Sequence, residues 1–198
     1  MLRRSTRLYD AMRRSEDEGF RRGGVLLQLG VNCRWSSLVV DERTPKPEGA
    51  QDVDPYGAGV DGTLRAGDRA PQATGLVTGS GETSLFDLFG LDHHTVLLFN
   101  VSERDAEHVI GVVKRYPIDL VKKVAIASQG TSSPCVAGAP DFAVVDTAGN
   151  AYSAYQVSPE KPTIVIVRPD GTVGGIVYGL EGLKRYFGGV FTAIDNAA

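Results

Sequence analysis

The chain has 198 residues, of which 42% are hydrophobic and 23% charged. This composition excludes wholesale disorder, a collagen-like repeat and a disulfide-dense scaffold. The net charge of −3 excludes an overall basic field for nucleic acid. No apolar run approaches the ~20 residues that span a bilayer, and residues 1–22 lack the apolar core of a secretory signal. We therefore expect a cytoplasmic protein with no membrane or nucleic-acid partner.

The N-terminal segment Leu2–Phe20 has the pattern of a helix with a thin apolar stripe. Residues 1–22 hold seven arginines and four acidic residues, and the acidic residues argue against a mitochondrial presequence. So narrow a stripe buries too little apolar surface to stabilise an isolated helix. We therefore predict an N-terminal helix within residues 1–24 that either is solvated along its charged face or belongs against a larger neighbour.

The next forty residues have a composition unlike that of a core. Val25–Leu29 and Trp35–Val40 are short apolar runs that favour extended segments. Thr44–Gly62 is rich in proline, glycine and aspartate, which is typical of a linker. Residues 25–63 are therefore predicted to form an extended arm and linker.

Residues 64–198 have the patterning of one compact domain. The predicted elements are a short helix at Ser84–Phe89, a strand at Thr95–Phe99, a helix from the cap Ser102 to Tyr116, strands at Val121–Ala127 and Phe142–Val145, a short helix at Tyr152–Tyr155, a hairpin of Thr163–Val167 with Val173–Tyr178, and a last helix from Leu180 to Ile194. Strands alternating with amphipathic helices predict an α/β fold in which helices cover a central sheet.

Several short motifs do not meet the requirements of a site. Gly57–Gly62 matches G-x-G-x-x-G, but neither a strand nor a helix flanks it, so we interpret it as a loop. Ala66-Gly67-Asp68 resembles the short Gly-Asp motif of flavin hydroxylases, but with the following Arg69-Ala70-Pro71 we interpret it as an entry loop into the compact domain. His93, His94 and His108 lack metal-binding spacing. We predict no catalytic, cofactor-binding or metal-binding residue in this chain.

The two cysteines, Cys33 and Cys135, are too far apart in sequence to form a CxxC pair. Cys135 follows Ser132-Ser133-Pro134 in a small-residue loop, where a thiol could be exposed. A reactive thiol also needs a base, a cation or a helix N-terminus that lowers its pKa, and none is identifiable. A thiol-dependent enzyme that uses Cys135 is for this reason the alternative hypothesis and not the leading one.

The order of elements from residue 64 resembles the thioredoxin fold. Lys161-Pro162-Thr163 before a strong strand is similar to that family's cis-proline step. Thioredoxins place CxxC at the start of the helix after the first core strand, where this chain has Asn100-Val101-Ser102-Glu103-Arg104. Because sulfur is missing and Glu103 would oppose a thiolate, the resemblance implies the fold without the dithiol chemistry.

A longer resemblance covers most of the chain. Five motifs, in this order, are similar to the C-terminal region of phenol hydroxylase-type flavin monooxygenases: Leu27–Asn32, Ser37–Asp41, Leu64–Pro71, Ser84–Phe89 and Val167–Gly171. In that family a thioredoxin-like domain follows the FAD and substrate domains and contributes to dimer contacts. The resemblance implies FAD and NADPH in full-length relatives, which hydroxylate aromatic rings. It places no cofactor and no catalytic residue in this chain.

The leading hypothesis is a non-redox thioredoxin-like module for dimerisation, from a truncated gene product or a stand-alone relative. The partner would be a second copy or a flavin-domain chain, and we expect no catalysis by the module alone. Trp35 and Leu38 are the predicted interface anchors, because buried aromatics dominate such contacts; the alternative is that both side chains pack on their own domain. Within this hypothesis, residues 1–24 are a remnant of a flavin-domain tail, 25–63 the arm and linker, and 64–198 the thioredoxin-like domain.

Overall fold

A computed structural model describes residues 30–46, 55–56, 62–130 and 140–191 of the chain. The predicted helix Leu2–Phe20, the segment Val25–Leu29 and most of the linker lie outside the described residues. Cys135 also lies outside them, so the hypothesis of a Cys135-dependent enzyme stays untested.

Eight strands and four α-helices form the described part of the chain. The strands are β1 (Val40–Asp41), β2 (Leu76–Thr78), β3 (Gly81–Thr83), β4 (His94–Phe99), β5 (Val121–Ser128), β6 (Phe142–Asp146), β7 (Thr163–Val167) and β8 (Val173–Val177). The helices are α1 (Leu85–Leu88), α2 (Glu103–Val113), α3 (Asn150–Ala154) and α4 (Leu180–Val190), and a 3₁₀ turn covers Ile118–Leu120. Every element predicted between Ser84 and Leu180 is present, with ends shifted by a few residues.

All eight strands join one mixed sheet in the order β1-β8-β7-β4-β5-β6-β2-β3. The parallel strands β4, β5 and β6 all start at the same end of the sheet, and β7 runs antiparallel to β4. We use the word edge for the two ends of the strands, where the loops lie. The turn Arg168–Gly171 between β7 and β8 therefore lies at the same edge as His94, the first residue of β4. This edge and the opposite one, where β4 ends, are the two places where loops meet.

Each face of the sheet packs against a separate hydrophobic cluster. The helices α2 and α4 cover one face, with Val109, Leu183 and Phe187 among the buried side chains. The segment around α1 and the helix α3 cover the other, with Leu85 and Tyr155 buried. Strands β4, β7 and β8 are buried along their whole length because helices or loops cover both faces. This arrangement agrees with the predicted thioredoxin-like α/β fold.

The structure differs from the predictions at three places. The β2–β3 hairpin was not predicted, because its short exposed strands carry little apolar periodicity. Trp35–Val40 is not an extended segment: Trp35 has φ 55° and turns precede the two-residue strand β1. The bond before Pro162 is trans, since the described residues contain no cis peptide bond. The resemblance to the cis-proline step is therefore one of sequence only.

Candidate functional site

The sheet edge where β4 ends is the position of the dithiol in thioredoxins. Here Asn100 has φ 53°, and its side-chain oxygen accepts a hydrogen bond from the Tyr152 hydroxyl at 2.7 Å. The Ser102 hydroxyl caps α2 by accepting from the Asp105 amide at 3.2 Å. These side chains hold the loop and the helix end, and no cysteine occurs among the described residues at this edge.

A small apolar pocket of about 210 Å³ lies at the same edge. Its walls include Val101, Pro162, Ile164 and Leu180, so apolar side chains lie close to the position of the sulfur atoms in a thioredoxin. Asp105 also lines the pocket, where its carboxylate accepts a hydrogen bond from the Ser102 hydroxyl at 2.6 Å. Apolar side chains and one hydrogen-bonded carboxylate therefore line the pocket at this edge.

The arm is fixed to the domain by a buried ion pair that the sequence did not predict. The Arg34 guanidinium donates from Nε to Asp68 Oδ1 at 2.6 Å and from Nη2 to Oδ2 at 2.9 Å. Both side chains are only 7% exposed, and Asp68 also accepts from the Arg65 amide at 2.9 Å. The bidentate pair and the additional bond satisfy the hydrogen-bonding capacity of the Asp68 carboxylate, whose charge burial would otherwise destabilise.

Gly67 allows this ion pair to form. Its φ of +101° favours glycine, and a Cβ at this position would clash with the backbone of Cys33 and Arg34. The Cys33 amide donates to the Gly67 carbonyl at 2.8 Å, which brings the two backbones into direct contact. The Gly-Asp pair therefore holds the arm in place, in agreement with its interpretation as an entry loop.

The two predicted interface anchors have different environments. Trp35 is half-buried: its indole Nε1 donates to the Thr44 carbonyl at 3.2 Å, and the Arg65 guanidinium carbon lies 5.7 Å from its ring centroid. Leu38 is 51% exposed. Trp35 therefore packs against its own chain, whereas Leu38 is available to a partner.

The edge where β4 starts carries two adjoining clefts that share the turn residues Arg168, Pro169 and Asp170. The first cleft, of about 340 Å³, is lined by Arg69, Ala70, Phe86, Phe89, Gly90, Leu91 and the turn Arg168–Gly171. The second, of about 360 Å³, is lined by Leu38, His94, Arg168, Pro169, Asp170, Tyr186, Gly189 and Val190. We call the lining of both clefts the hairpin-edge surface. It combines exposed apolar side chains with charges of both signs.

His94 lies at the floor of the second cleft, within a group of aromatic rings. Its ring centroid is 5.9 Å from that of Tyr186, 6.0 Å from Phe187 and 5.3 Å from Phe191. Burial lowers the pKa of His94 to about 4, and the positive charge of Arg168 acts in the same direction. The imidazole is therefore neutral at pH 7 and packs as an aromatic ring.

The other candidate residues do not assemble into a reactive site. His93 contacts the carboxylate of Asp92 at 2.7 Å, and His108 is exposed on α2. Within the described ranges, no group of three His, Cys, Asp or Glu side chains could hold a metal ion. Cys33 is half-buried, and burial raises the pKa of its thiol, so the neutral form is favoured. In the described part of the chain, no helix is both long and apolar enough to cross a bilayer.

Comparisons with solved structures relate the fold to known proteins. A domain of a possible thiol-disulfide isomerase from Cytophaga hutchinsonii superposes with a TM-score of 0.50 at 13% identity, covering 64% of this chain and 92% of that one. The flavin-dependent monooxygenase PieE, solved with FAD and substrate, has a TM-score of 0.47 at 25% identity and covers 83% of this chain. Aklavinone-11 hydroxylase, solved with FAD and aklavinone, has a TM-score of 0.48 at 21% identity and covers 80% of this chain.

This chain spans about a quarter of each monooxygenase: 24% of PieE and 26% of aklavinone-11 hydroxylase. No curated protein matches the chain. Residues 139–194 match the family model of the phenol hydroxylase C-terminal dimerisation domain. The predicted resemblance is therefore confirmed: this chain is similar to the thioredoxin-like C-terminal domain of phenol hydroxylase-type flavin monooxygenases.

Proposed function

We propose that this chain is a non-redox dimerisation module that joins two identical subunits. The observation that carries the proposal is the match of residues 139–194 to a dimerisation domain. The matched segment contains the β7–β8 hairpin, whose turn is shared by both clefts, and α4, which supplies Val190. The segment that gives the family resemblance thus also supplies much of an exposed, partly apolar surface.

The local structure supports the non-redox part of the proposal. Asn100 and Ser102 occupy the region of a thioredoxin dithiol and have structural contacts there, while the described thiol, Cys33, is held neutral by burial. The module would therefore act by burying surface rather than by exchanging electrons.

Light scattering after size-exclusion chromatography tests dimerisation directly. We expect the full chain, at tens of micromolar, to elute with twice the 21.1 kDa mass of one chain. The mass should fall toward that of one chain on dilution, because association depends on concentration. A mass of one chain at every concentration up to the limit of solubility would contradict the proposed function.

We further expect that the chain alone retains no FAD. Gly67 and Asp68, the pair that resembles a flavin-contacting motif, are buried beneath the arm, where Asp68 binds Arg34. A flavin ribityl chain could reach them only if this ion pair opened. After incubation with FAD and desalting, the absorbance spectrum should lack the absorption bands of a bound flavin. Retained flavin would show that the chain contributes a cofactor site.

A further inference from the structure

We propose that the hairpin-edge surface is the face on which a second copy of this chain docks. The inference rests on the proposed dimerisation function and adds which face is buried and how it recognises its partner. The predicted anchor Leu38 lies on this surface, and the other exposed apolar side chains of the surface are Phe86, Leu91 and Val190.

The first argument is the apolar exposure of this surface. Leu91 is 93% exposed, Phe86 and Leu38 are each 51% exposed, and Val190 is 39% exposed. Leu91 and Phe86 line the first cleft, and Leu38 and Val190 line the second, so one pair lies on each side of the shared turn. Exposed apolar side chains that are grouped and bordered by polar groups mark interaction sites on soluble proteins.

The second argument is the mixed charge around these side chains. The same surface carries the exposed Arg69 and the ion pair of Arg168 with Asp170, whose carboxylate is 51% exposed. Asp92, next to Leu91, contacts His93 and is 86% exposed. In a two-fold symmetric contact the same patch faces itself, so it must supply both members of each complementary pair. A surface with both signs can meet its own copy without opposing like charges, whereas a strongly acidic or basic partner would meet repulsion.

The third argument is size. Ten residues line the first cleft and eight the second, with three in common. A standard interface contains roughly 20–30 residues on each side. The two clefts, whose lining includes the buried Ala70, His94 and Tyr186, therefore supply about half of one such interface.

The test compares three glutamate variants of the full chain by analytical ultracentrifugation across a concentration series. Leu91→Glu and Val190→Glu place a charge on the hairpin-edge surface. The control is Val77→Glu on β2, because Val77 is 40% exposed, matches Val190 at 39%, and lines neither cleft. Circular dichroism spectra identify any variant that fails to fold. If one surface variant is unfolded, the dissociation constant of the other surface variant tests the proposal.

We expect each surface variant to raise the dimer dissociation constant on the order of 100-fold, since a symmetric interface contains every substitution twice and about tenfold per copy is a moderate interface effect. The Val77→Glu dissociation constant should stay near that of the unmodified chain. Dimers that persist unchanged in both surface variants would overturn this assignment and leave dimerisation intact through another face. Equal weakening by Val77→Glu would also overturn it, and a monomeric unmodified chain would refute the proposed function itself.

Discussion

Replacing Arg34 by methionine should lower the free energy of unfolding by about 3–5 kcal/mol, the usual range for removing one partner of a buried ion pair. The substitution leaves the buried Asp68 carboxylate, which is 7% exposed, without its bidentate partner, and it removes one of the side-chain contacts between the arm and the domain. Urea unfolding followed by circular dichroism measures the difference. Deleting residues 1–40, an obvious test of the arm's role in dimerisation, would remove Arg34 too and would confuse association with stability.

Two further variants separate the ion pair from general effects of substitution. The double variant Arg34→Met, Asp68→Leu removes both charges and should recover much of the loss, because a well-packed apolar pair often replaces a buried ion pair at little cost. Lys184→Ala breaks the exposed pair with Glu181, whose atoms are 2.7 Å apart, and should change stability by less than about 1 kcal/mol. A loss of under 1 kcal/mol for Arg34→Met would mean that the buried pair contributes little to the fold.

The stability of the fold should fall by about 2 kcal/mol as the pH is lowered from 6.5 to 4. The pKa of His94 lies near 4 in the folded chain and near its ordinary 6.5 after unfolding, so the unfolded chain binds the proton more readily. The loss therefore begins as the pH drops below 6.5 and is complete below 4. We expect less than the full linkage value because the imidazole borders the second cleft, where water reduces the penalty of charging.

His94→Gln tests this assignment, since glutamine is neutral throughout the range and can still donate a hydrogen bond. Its unfolding free energy should change much less between pH 6.5 and 4, whereas the exposed control His108→Gln should keep the full dependence. Two carboxyl groups also have lowered pKa values. His93 lowers the pKa of Asp92. Burial raises the pKa of Asp141, but Lys123 lowers it by more, so both carboxyl groups titrate below their ordinary 3.8 and affect stability mainly below pH 4. An unchanged pH dependence in His94→Gln would assign the acid sensitivity elsewhere.

The ordered motifs and the hydrophobic periodicity were sufficient to predict the fold class and the family resemblance. Thr95–Phe99 and Thr163–Val167 are continuous β-forming runs, and continuous runs of this kind indicate strands buried on both faces. The β2–β3 hairpin was missed because Gly81–Thr83 is short and exposed, and its place in the sheet comes from the pairing of Leu76 with Asp146. Pairing between residues seventy positions apart leaves no periodic signal in the sequence.

The sequence by itself determined which elements form and that the region of a thioredoxin dithiol carries Asn100 and Ser102 instead of sulfur, because periodicity, capping and residue identity are local properties. Only the tertiary structure decided that Arg34 pairs with Asp68, that Trp35 packs on its own chain, and that Leu91 and Leu38 border adjoining clefts. Each of these depends on which distant segments meet across the sheet. That choice is made by burial and shape complementarity over the whole core, not by any short stretch of residues.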